Sequence, residues 1–527
     1  MPQRRMYADP EGVFLHDAVL ASCRKHPQRT AVVDCSCLTN GEPKRLSYAE
    51  YGDLIERCAR GLVAAGVTPG DVIAIYLFNA WEYSVAYHAA ALAGAIPTLL
   101  NPSYREREVR YQLEASGAVL LITDGPQLAS LNLAGLPALR RIYCTRTVTQ
   151  SCSDLRNLFA STTAVLPKPC ASPRETLAAL PFSSGTTGLP KGVMLSHFNL
   201  VANAYQIIRP GEQAGFSEEE KLLCFLPLYH IYGLNVLHNP ILIVGGTLVF
   251  MPRFDAQQVG EIISREQITY LPLVPPAMNA LCHAAEQGLF PAKHSVRAVK
   301  SGAAPLAPEL PRRFTALTGI PVAQGYGMTE ASPVTHLGFI EPEFYCPESI
   351  GHLAALTEAR LVGADGTEVG SGEDGELIMR GPQFMRGYWK SPEATHEVLR
   401  DGWYWSGDIA RRDERGFYFI VDRRKELIKF KGFAIAPAEI EAVLLEHPAV
   451  RDCGIVGKAD DDCGEIPVAF VVTRNDHGGS MKLATELSGY VAERLAHYKQ
   501  PREVRFVEAI PRNPSGKILR RELRASL

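Results

Sequence analysis

The sequence lacks any apolar run long enough to span a bilayer. The longest, over 85–100 and 240–251, fall short and are broken by Gly or Pro. It also lacks an excess of either charge. Lys and Arg number 54 against 57 Asp and Glu, interspersed, for a net charge of −3. That excludes a chain-wide binder of nucleic acid or other polyanions. The basic start, Met1-Pro2-Gln3-Arg4-Arg5, has no apolar stretch behind it, so no secretory signal is read there. Twelve cysteines include no CxxC pair and no Cys/His cluster of zinc spacing. Reduced, mostly buried thiols in a cytoplasmic protein are expected. Ala525-Ser526-Leu527 departs from a peroxisomal tripeptide at its middle residue, which is not basic. What remains is a globular composition, 46% hydrophobic and 21% charged, in a chain with room for several domain-sized units.

One stretch stands out: Leu180-Pro181-Phe182-Ser183-Ser184-Gly185-Thr186-Thr187-Gly188-Leu189-Pro190-Lys191-Gly192. It follows an apolar run, 177–182, that reads as a buried strand. Glycines let backbone N–H groups approach phosphate oxygens closely. Ser183, Ser184, Thr186 and Thr187 add hydroxyl donors, and Lys191 adds a point charge. The spacing is not that of a Walker A loop. Ser196 is placed to cap a following helix.

Before this stretch, helices over 14–24, 47–65, 80–94 and 106–116 alternate with strands over 30–33, 71–77, 95–100 and 118–123. After it the alternation resumes: strands over 222–227, 247–250, 268–274, 296–301 and 322–324, helices over 256–266, 277–287 and 308–317. Such alternation predicts parallel sheets covered by helices. Beyond about Gly351, short strands with hairpin turns dominate, at 359–362 and 376–380. The fold class is therefore α/β. A large N-terminal domain holds two αβ-layered subdomains plus a small β-barrel-like region, and a small α+β domain follows. The boundary is set at 422–425, dividing the chain into 1–422 and 423–527. Pro437 is expected at the first position of a helix in the second part.

Two motifs follow predicted strands, where ligands collect in open α/β sheets. Tyr326-Gly327-Met328-Thr329-Glu330 offers a ring for a base, a hydroxyl for phosphate and a carboxylate for Mg²⁺; a turn with a solvated Glu is the other reading. In Tyr229-His230-Ile231-Tyr232 a histidine between tyrosines forms either a wall for an organic acid or part of the core. Trp405-Ser406-Gly407-Asp408 presents a carboxylate for ribose hydroxyls, or is a surface turn. The basic run from Asp422 to Gly432 and the loop Pro511-Arg512-Asn513-Pro514-Ser515-Gly516-Lys517 present cations to phosphates, or to solvent. Gly370-Ser371-Gly372-Glu373-Asp374-Gly375 matches GxGxxG but carries two carboxylates and precedes a strand, so it is rejected as a dinucleotide site.

Taken together, these segments resemble the adenylate-forming superfamily of acyl-CoA synthetases, luciferases and adenylation domains. The segments over 226–234, 271–276, 300–306, 324–330 and 422–437 look most like the 4-coumarate:CoA ligase branch. The resemblance covers nearly the whole chain. It implies a two-step, AMP-forming acid–thiol ligase that uses ATP, Mg²⁺ and coenzyme A, with a mobile C-terminal domain. By resemblance, Ser183, Ser184, Gly185, Thr186, Thr187 and Lys191 hold the β- and γ-phosphates. Gly325, Tyr326, Gly327, Met328 and Thr329 meet adenine and the α-phosphate, and Glu330 holds the metal. Asp408 and Arg423 hold the ribose, and Lys425 is the hinge. Lys517 serves adenylation, Lys429 the thioester step, with Lys431 and Gly432 near coenzyme A. The acyl wall draws on His230, Tyr232, Val236, Ala303, Pro333 and Val334 as well as Gly325 and Gly327. Ala434 stands where relatives of this branch carry Gln. An aryl or cinnamate-type acid is favoured. The alternatives are a medium- or long-chain fatty acid, or acyl transfer to a carrier-protein thiol. The implied partner is a small carboxylic acid, with no nucleic acid or membrane span, in a monomer or homodimer.

Overall fold

A computed structural model describes residues 6–39, 42–146, 151–160, 163–183, 189–208, 215–304, 306–423, 426–430, 433–460, 463–474, 479–513 and 516–527. No helix among them is long and apolar enough to cross a membrane.

The first αβ layer is a five-stranded parallel sheet in the order Ile96–Leu99, Val72–Tyr76, Leu120–Thr123, Arg141–Cys144, Ser153–Asp154. Its strand Val72–Tyr76 is apolar and buried at every position, as a sheet covered on both faces requires. The helix Tyr48–Ala64 starts where its sequence says it should. Ser47 accepts from the Glu50 backbone N–H, and the Glu50 carboxylate accepts from that of Ser47 at 2.7 Å.

The second layer is a nine-stranded sheet. Its order is His352–Leu353, Val334–Leu337, Val322–Gly327, Ala298–Ser301, Tyr270–Leu273, Lys221–Cys224, Thr247–Phe250, Thr30–Thr39, Glu42–Ser47. The strand beginning at Thr30 thus belongs here and not with its sequence neighbours. It pairs in parallel with Thr247–Phe250, Val32 opposite Leu248, and folds back on Glu42–Ser47 as an antiparallel edge. The apolar run over 177–182 also differs from its sequence reading. Leu177–Ala179 pairs with Leu195–Ser196, whereas Phe182–Ser183 pairs with Lys191–Gly192. Pro181 has no N–H for a ladder, and the Leu180 carbonyl instead accepts from the Thr98 hydroxyl at 2.8 Å. Gly370-Ser371-Gly372 leads into the strand Asp374–Arg380, which belongs to a five-stranded antiparallel sheet.

Residues Gly233–His238 form a π-helical turn continuing into the helix Asn239–Val244, which the sequence reading did not foresee. Gly233 is required there: an added Cβ would lie 2.2 Å from the Pro227 carbonyl oxygen. Beneath this turn runs a buried polar chain. The Tyr51 hydroxyl meets His88 Nδ1 at 2.8 Å, and His88 Nε2 meets Asn239 Oδ1 at 3.1 Å. Asn239 donates to Asn235 (2.8 Å), and Asn235 donates to the Ser332 carbonyl (2.6 Å), close to Glu330.

Burial pushes His88 down to about 3, and His336 likewise. Between pH 6.5 and about 3 the unfolded chain binds protons that these folded imidazoles refuse, so stability falls as pH drops through that window. Each such histidine contributes a slope of about 1.4 kcal/mol per pH unit. Denaturant titrations at several pH values below 6.5 should therefore show His88→Gln reducing the slope by about one proton. An unchanged slope would contradict a neutral His88.

The C-terminal part forms a separate five-stranded sheet, in which Gly464–Thr473 lies between Ile428–Phe430 and Val450–Asp460 and also pairs with Glu503–Phe506. Ile428, Ile440, Leu444, Ile455, Leu487 and Val491 belong to its own core. Pro437 opens the helix Pro437–Leu445. Buried Arg520 clamps Glu441, Glu426 (2.7 Å) and the Ile455 carbonyl (3.0 Å). This joins the chain just past 425 to the segment that follows Lys517.

Candidate active site

A cleft of about 1700 Å³ opens where the sheets meet, lined by residues of the large part and of the C-terminal sheet. On one side the ribbon Phe182–Ser183/Lys191–Gly192 closes the hydroxyl-rich loop, placing Ser183 directly opposite Lys191. Ser184, Gly185, Thr186 and Thr187 lie outside the described residues, as do Lys425, Lys431 and Gly432. Gly192 sits against Leu180, Phe182 and Trp389, which fixes the ribbon to the segment 387–389.

Opposite the ribbon, the strand Val322–Gly327 ends in Met328, Thr329 and Glu330. Glu330 is buried, and its Oε1 accepts from the Ser183 hydroxyl at 3.0 Å and the Tyr388 hydroxyl at 2.8 Å. Burial and the Glu330 charge push the Tyr388 phenol well up, so it remains a donor. Lys191 Nζ stands 5.4 Å from the centre of the same Tyr388 ring. A carboxylate, a loop hydroxyl and a cation are thus assembled around one tyrosine. Tyr388 was not singled out from the sequence. The only local signal was an aromatic pair, Tyr388-Trp389, behind Gly387 in a polar stretch.

Tyr326 donates its hydroxyl to Asp408 Oδ2, and Asp408 is buried at the edge of the cleft. Asp408 pairs in register with Arg423 on the neighbouring strand, so the two residues named for one ligand are cross-strand neighbours. His336 lies under Tyr326, ring centres 5.6 Å apart.

The acyl-wall candidates also gather here: His230, Tyr232, Val236, Ala303, Pro333 and Val334 all line the cleft. Burial lowers His230 to about 4, so it is neutral. Its Nδ1 accepts from the Tyr232 N–H at 3.3 Å, which leaves the ring proton on Nε2. Tyr232 donates to the Lys300 carbonyl at 3.1 Å. Ala303 holds a φ of 70°, a conformation unusual for a residue with a Cβ and one that recurs at ligand sites.

The two glycines of this wall have different surroundings. A Cβ on Gly327 would lie 2.0 Å from the Pro333 carbonyl oxygen, so this glycine is needed by the backbone turn. A Cβ on Gly325 would meet only the His336 carbonyl oxygen, at 3.5 Å, an ordinary contact.

Lys517 and Lys429 both line the cleft. Sequence reasoning had them visiting the site in turn; the structure brings both to it, in different surroundings. Lys429 is exposed on a strand whose neighbours Ile428 and Phe430 are buried. Lys517 is partly buried on a hairpin whose Gly516 approaches Pro276 of the large part. Among the described residues no group of three or more His, Cys, Asp or Glu is disposed to hold a metal ion. The donor set around Glu330 instead fits Mg²⁺, which takes one or two carboxylates and completes its shell with phosphate oxygens and water.

A family model described as AMP-binding enzyme matches residues 19–389, and one described as AMP-binding enzyme C-terminal domain matches 439–517. The chain is 38% identical to 4-coumarate–CoA ligase 5 of Oryza sativa subsp. japonica, over 99% of this chain and 96% of that one. It is 37% identical to 4-coumarate-CoA ligase 1 of Narcissus pseudonarcissus, over 98% and 94%. ATP-bound MatB from Rhodopseudomonas palustris shares 28% identity at a TM-score of 0.84, covering 97% of this chain and 98% of that one. O-succinylbenzoate coenzyme A synthetase (MenE) from Bacillus subtilis, in complex with ATP and magnesium ion, shares 30% at 0.81, covering 96% and 98%. Matched by that family over more than half of its length and by full-length relatives at 37% and 38% identity, the chain belongs to the AMP-binding, adenylate-forming enzymes, on their 4-coumarate–CoA ligase-like branch.

Proposed function

We propose that this cleft ligates a cinnamate-type carboxylic acid to coenzyme A at the expense of ATP, through an acyl adenylate. The observation that carries this is the junction at Glu330. A hydroxyl of the phosphate-loop ribbon and a strand-end carboxylate meet at 3.0 Å in the same cleft as an aromatic wall and Lys517. In the first step a carboxylate oxygen of the acid attacks the α-phosphorus of ATP, and pyrophosphate leaves. In the second the thiol sulfur attacks the acyl carbon, AMP leaves and the thiol proton passes to solvent.

Two anions must meet in the first step, so the protein's task is to neutralise and align them. Lys191 and the loop hydroxyls hold the outer phosphates, Asp408 and Arg423 the ribose, and Lys517 the α-phosphate beside the incoming carboxylate. Glu330 holds Mg²⁺, which supplies charge neutralisation when bound. Neutral His230 adds no charge to the acyl wall. Residues 1–422 act as the adenylation domain and 423–527 as a mobile domain, turning about Lys425. The separate core of the C-terminal sheet supports that division. Lys429, with Lys431 and Gly432, serves the thioester step. Buried thiols such as Cys58 and Cys224, which burial keeps protonated, are in keeping with a cytoplasmic setting.

The glycine surroundings give a prediction about the acid. Gly325→Ala adds a methyl to the cleft wall in ordinary contact with the His336 carbonyl and without a clash, and should depress kcat/KM for cinnamate-type acids about tenfold more than for acetate. Gly327→Val meets the Pro333 backbone and should lower activity with every acid alike. A uniform loss for Gly325→Ala in kinetics across acid sizes would remove Gly325 from the acyl wall. The function itself is tested by chromatography of AMP and acyl-CoA formed from hydroxycinnamates, benzoates and C6–C16 fatty acids. Hydroxycinnamates should lead. A fatty-acid optimum would overturn the acid class, and an absence of acid-dependent AMP would overturn the reaction.

A further inference from the structure

The hairpin that carries Lys517 is held by a side chain at the edge of the same cleft that has no role so far. Arg512 donates from Nη1 to the Gly516 carbonyl at 2.8 Å, one residue before the lysine. Its Nη2 donates to Asp452 Oδ1 at 2.7 Å, with Nε 3.4 Å from Oδ2. Asp452 belongs to Val450–Asp460, a strand of the C-terminal sheet paired along its length with Gly464–Thr473. Asn513 completes the cradle: its N–H donates to the Lys517 carbonyl at 2.9 Å, and its Oδ1 accepts from the Lys517 N–H at 2.9 Å. A planar guanidinium bridging a carboxylate and a backbone carbonyl is a rigid strut.

We propose that Arg512 is a positioning residue for adenylation: braced on Asp452, it fixes the Gly516 carbonyl and thereby the backbone from which Lys517 enters the cleft. This rests on the reading of Lys517 given above. A lysine side chain has four rotatable bonds and loses much entropy when held at a phosphate. If its backbone also moves, the aligned population falls steeply, since a displacement near 1 Å at a reacting centre costs on the order of a hundredfold. Arg512 therefore acts on the rate of the aligned complex and not on nucleotide affinity. It acts through Lys517 alone, so it has nothing to contribute once Lys517 is gone.

The test measures each half-reaction in the full-length enzyme: adenylation by pyrophosphate release, and thioester formation from supplied acyl adenylate. Arg512→Ala should lower the adenylation kcat by roughly thirtyfold with KM for ATP nearly unchanged, and leave the thioester step nearly unchanged. Arg512→Lys, which keeps the charge but reaches with a single nitrogen and so cannot bridge both partners, should recover only part of the loss, and Asp452→Asn should show a smaller loss in the same half-reaction. In a Lys517→Ala background, adding Arg512→Ala should cost nothing further. Equal damage to both halves, a loss confined to KM for ATP, or a further loss in the Lys517→Ala background would overturn the proposal. Wild-type adenylation by Arg512→Ala beside an inactive Lys517→Ala sinks the role of Arg512 alone. Wild-type adenylation by Lys517→Ala sinks the reading of Lys517, and this proposal with it.

Discussion

Glu330→Gln is expected to lower acid-dependent pyrophosphate release by about two orders of magnitude, the scale on which losing one transition-state electrostatic contact is felt. The glutamine keeps the size and leaves an oxygen to accept from Ser183 and Tyr388, which now meet at 3.0 Å and 2.8 Å. What it removes is the negative charge. The fold and the ribbon should therefore survive, while the anchor proposed for Mg²⁺ would be lost. The defect should deepen as Mg²⁺ is lowered, because the variant must bind its ion through nucleotide and water alone. Glu330→Ala should be worse, since it also strands the buried Tyr388 hydroxyl. The measurement is initial rate against Mg²⁺ concentration. A Glu330→Gln enzyme that matches wild type at limiting Mg²⁺ would take the metal away from this residue.

The second large effect concerns the two cleft lysines. Lys517→Ala should lose adenylation by two to three orders of magnitude, yet still convert supplied acyl adenylate to thioester. Lys429→Ala should make adenylate and pyrophosphate at near wild-type rate and be slow in the second step. The reason lies in their surroundings. Gly516 brings the Lys517 hairpin against Pro276, so this arrangement presents Lys517 to the large part while Lys429 stays exposed. On the proposed two-step reading, the same unit would turn before Lys429 takes that place. Equal damage to both halves by either variant would mean that the lysines work together in one conformation.

How much of this could be read in the sequence depends on how local each signal is. The Ser196 cap, the helix Glu106–Ser116 and the Pro437 start are set by neighbours a few residues apart, and each is where its pattern puts it. The Tyr326–Glu330 motif was legible because it sits at the end of the strand Val322–Gly327, whereas Asp408 lies within the strand Trp403–Arg412, with no turn there, and Lys429 within Ile428–Phe430. Sheet membership was not legible. Thr30–Thr39 joins Thr247–Phe250 through contacts between distant residues, and no periodicity encodes that partner. Tyr388 escaped notice for the same reason. Its bond to Glu330 spans 58 residues, and no motif marks it locally. The jobs of Gly325 and Gly327 were indistinguishable from sequence, because only the approach of the Pro333 carbonyl separates them. Arg512 read as one cation in an exposed loop until Asp452 and the Gly516 carbonyl were seen on either side of it.

The central claim is that an acyl adenylate forms before any thiol is needed, and exchange of labelled pyrophosphate into ATP tests it most directly. With ATP, Mg²⁺ and a hydroxycinnamate but no coenzyme A, the account predicts exchange that depends on the acid and disappears in Lys517→Ala. Exchange that requires coenzyme A, or proceeds equally without any acid, would contradict it.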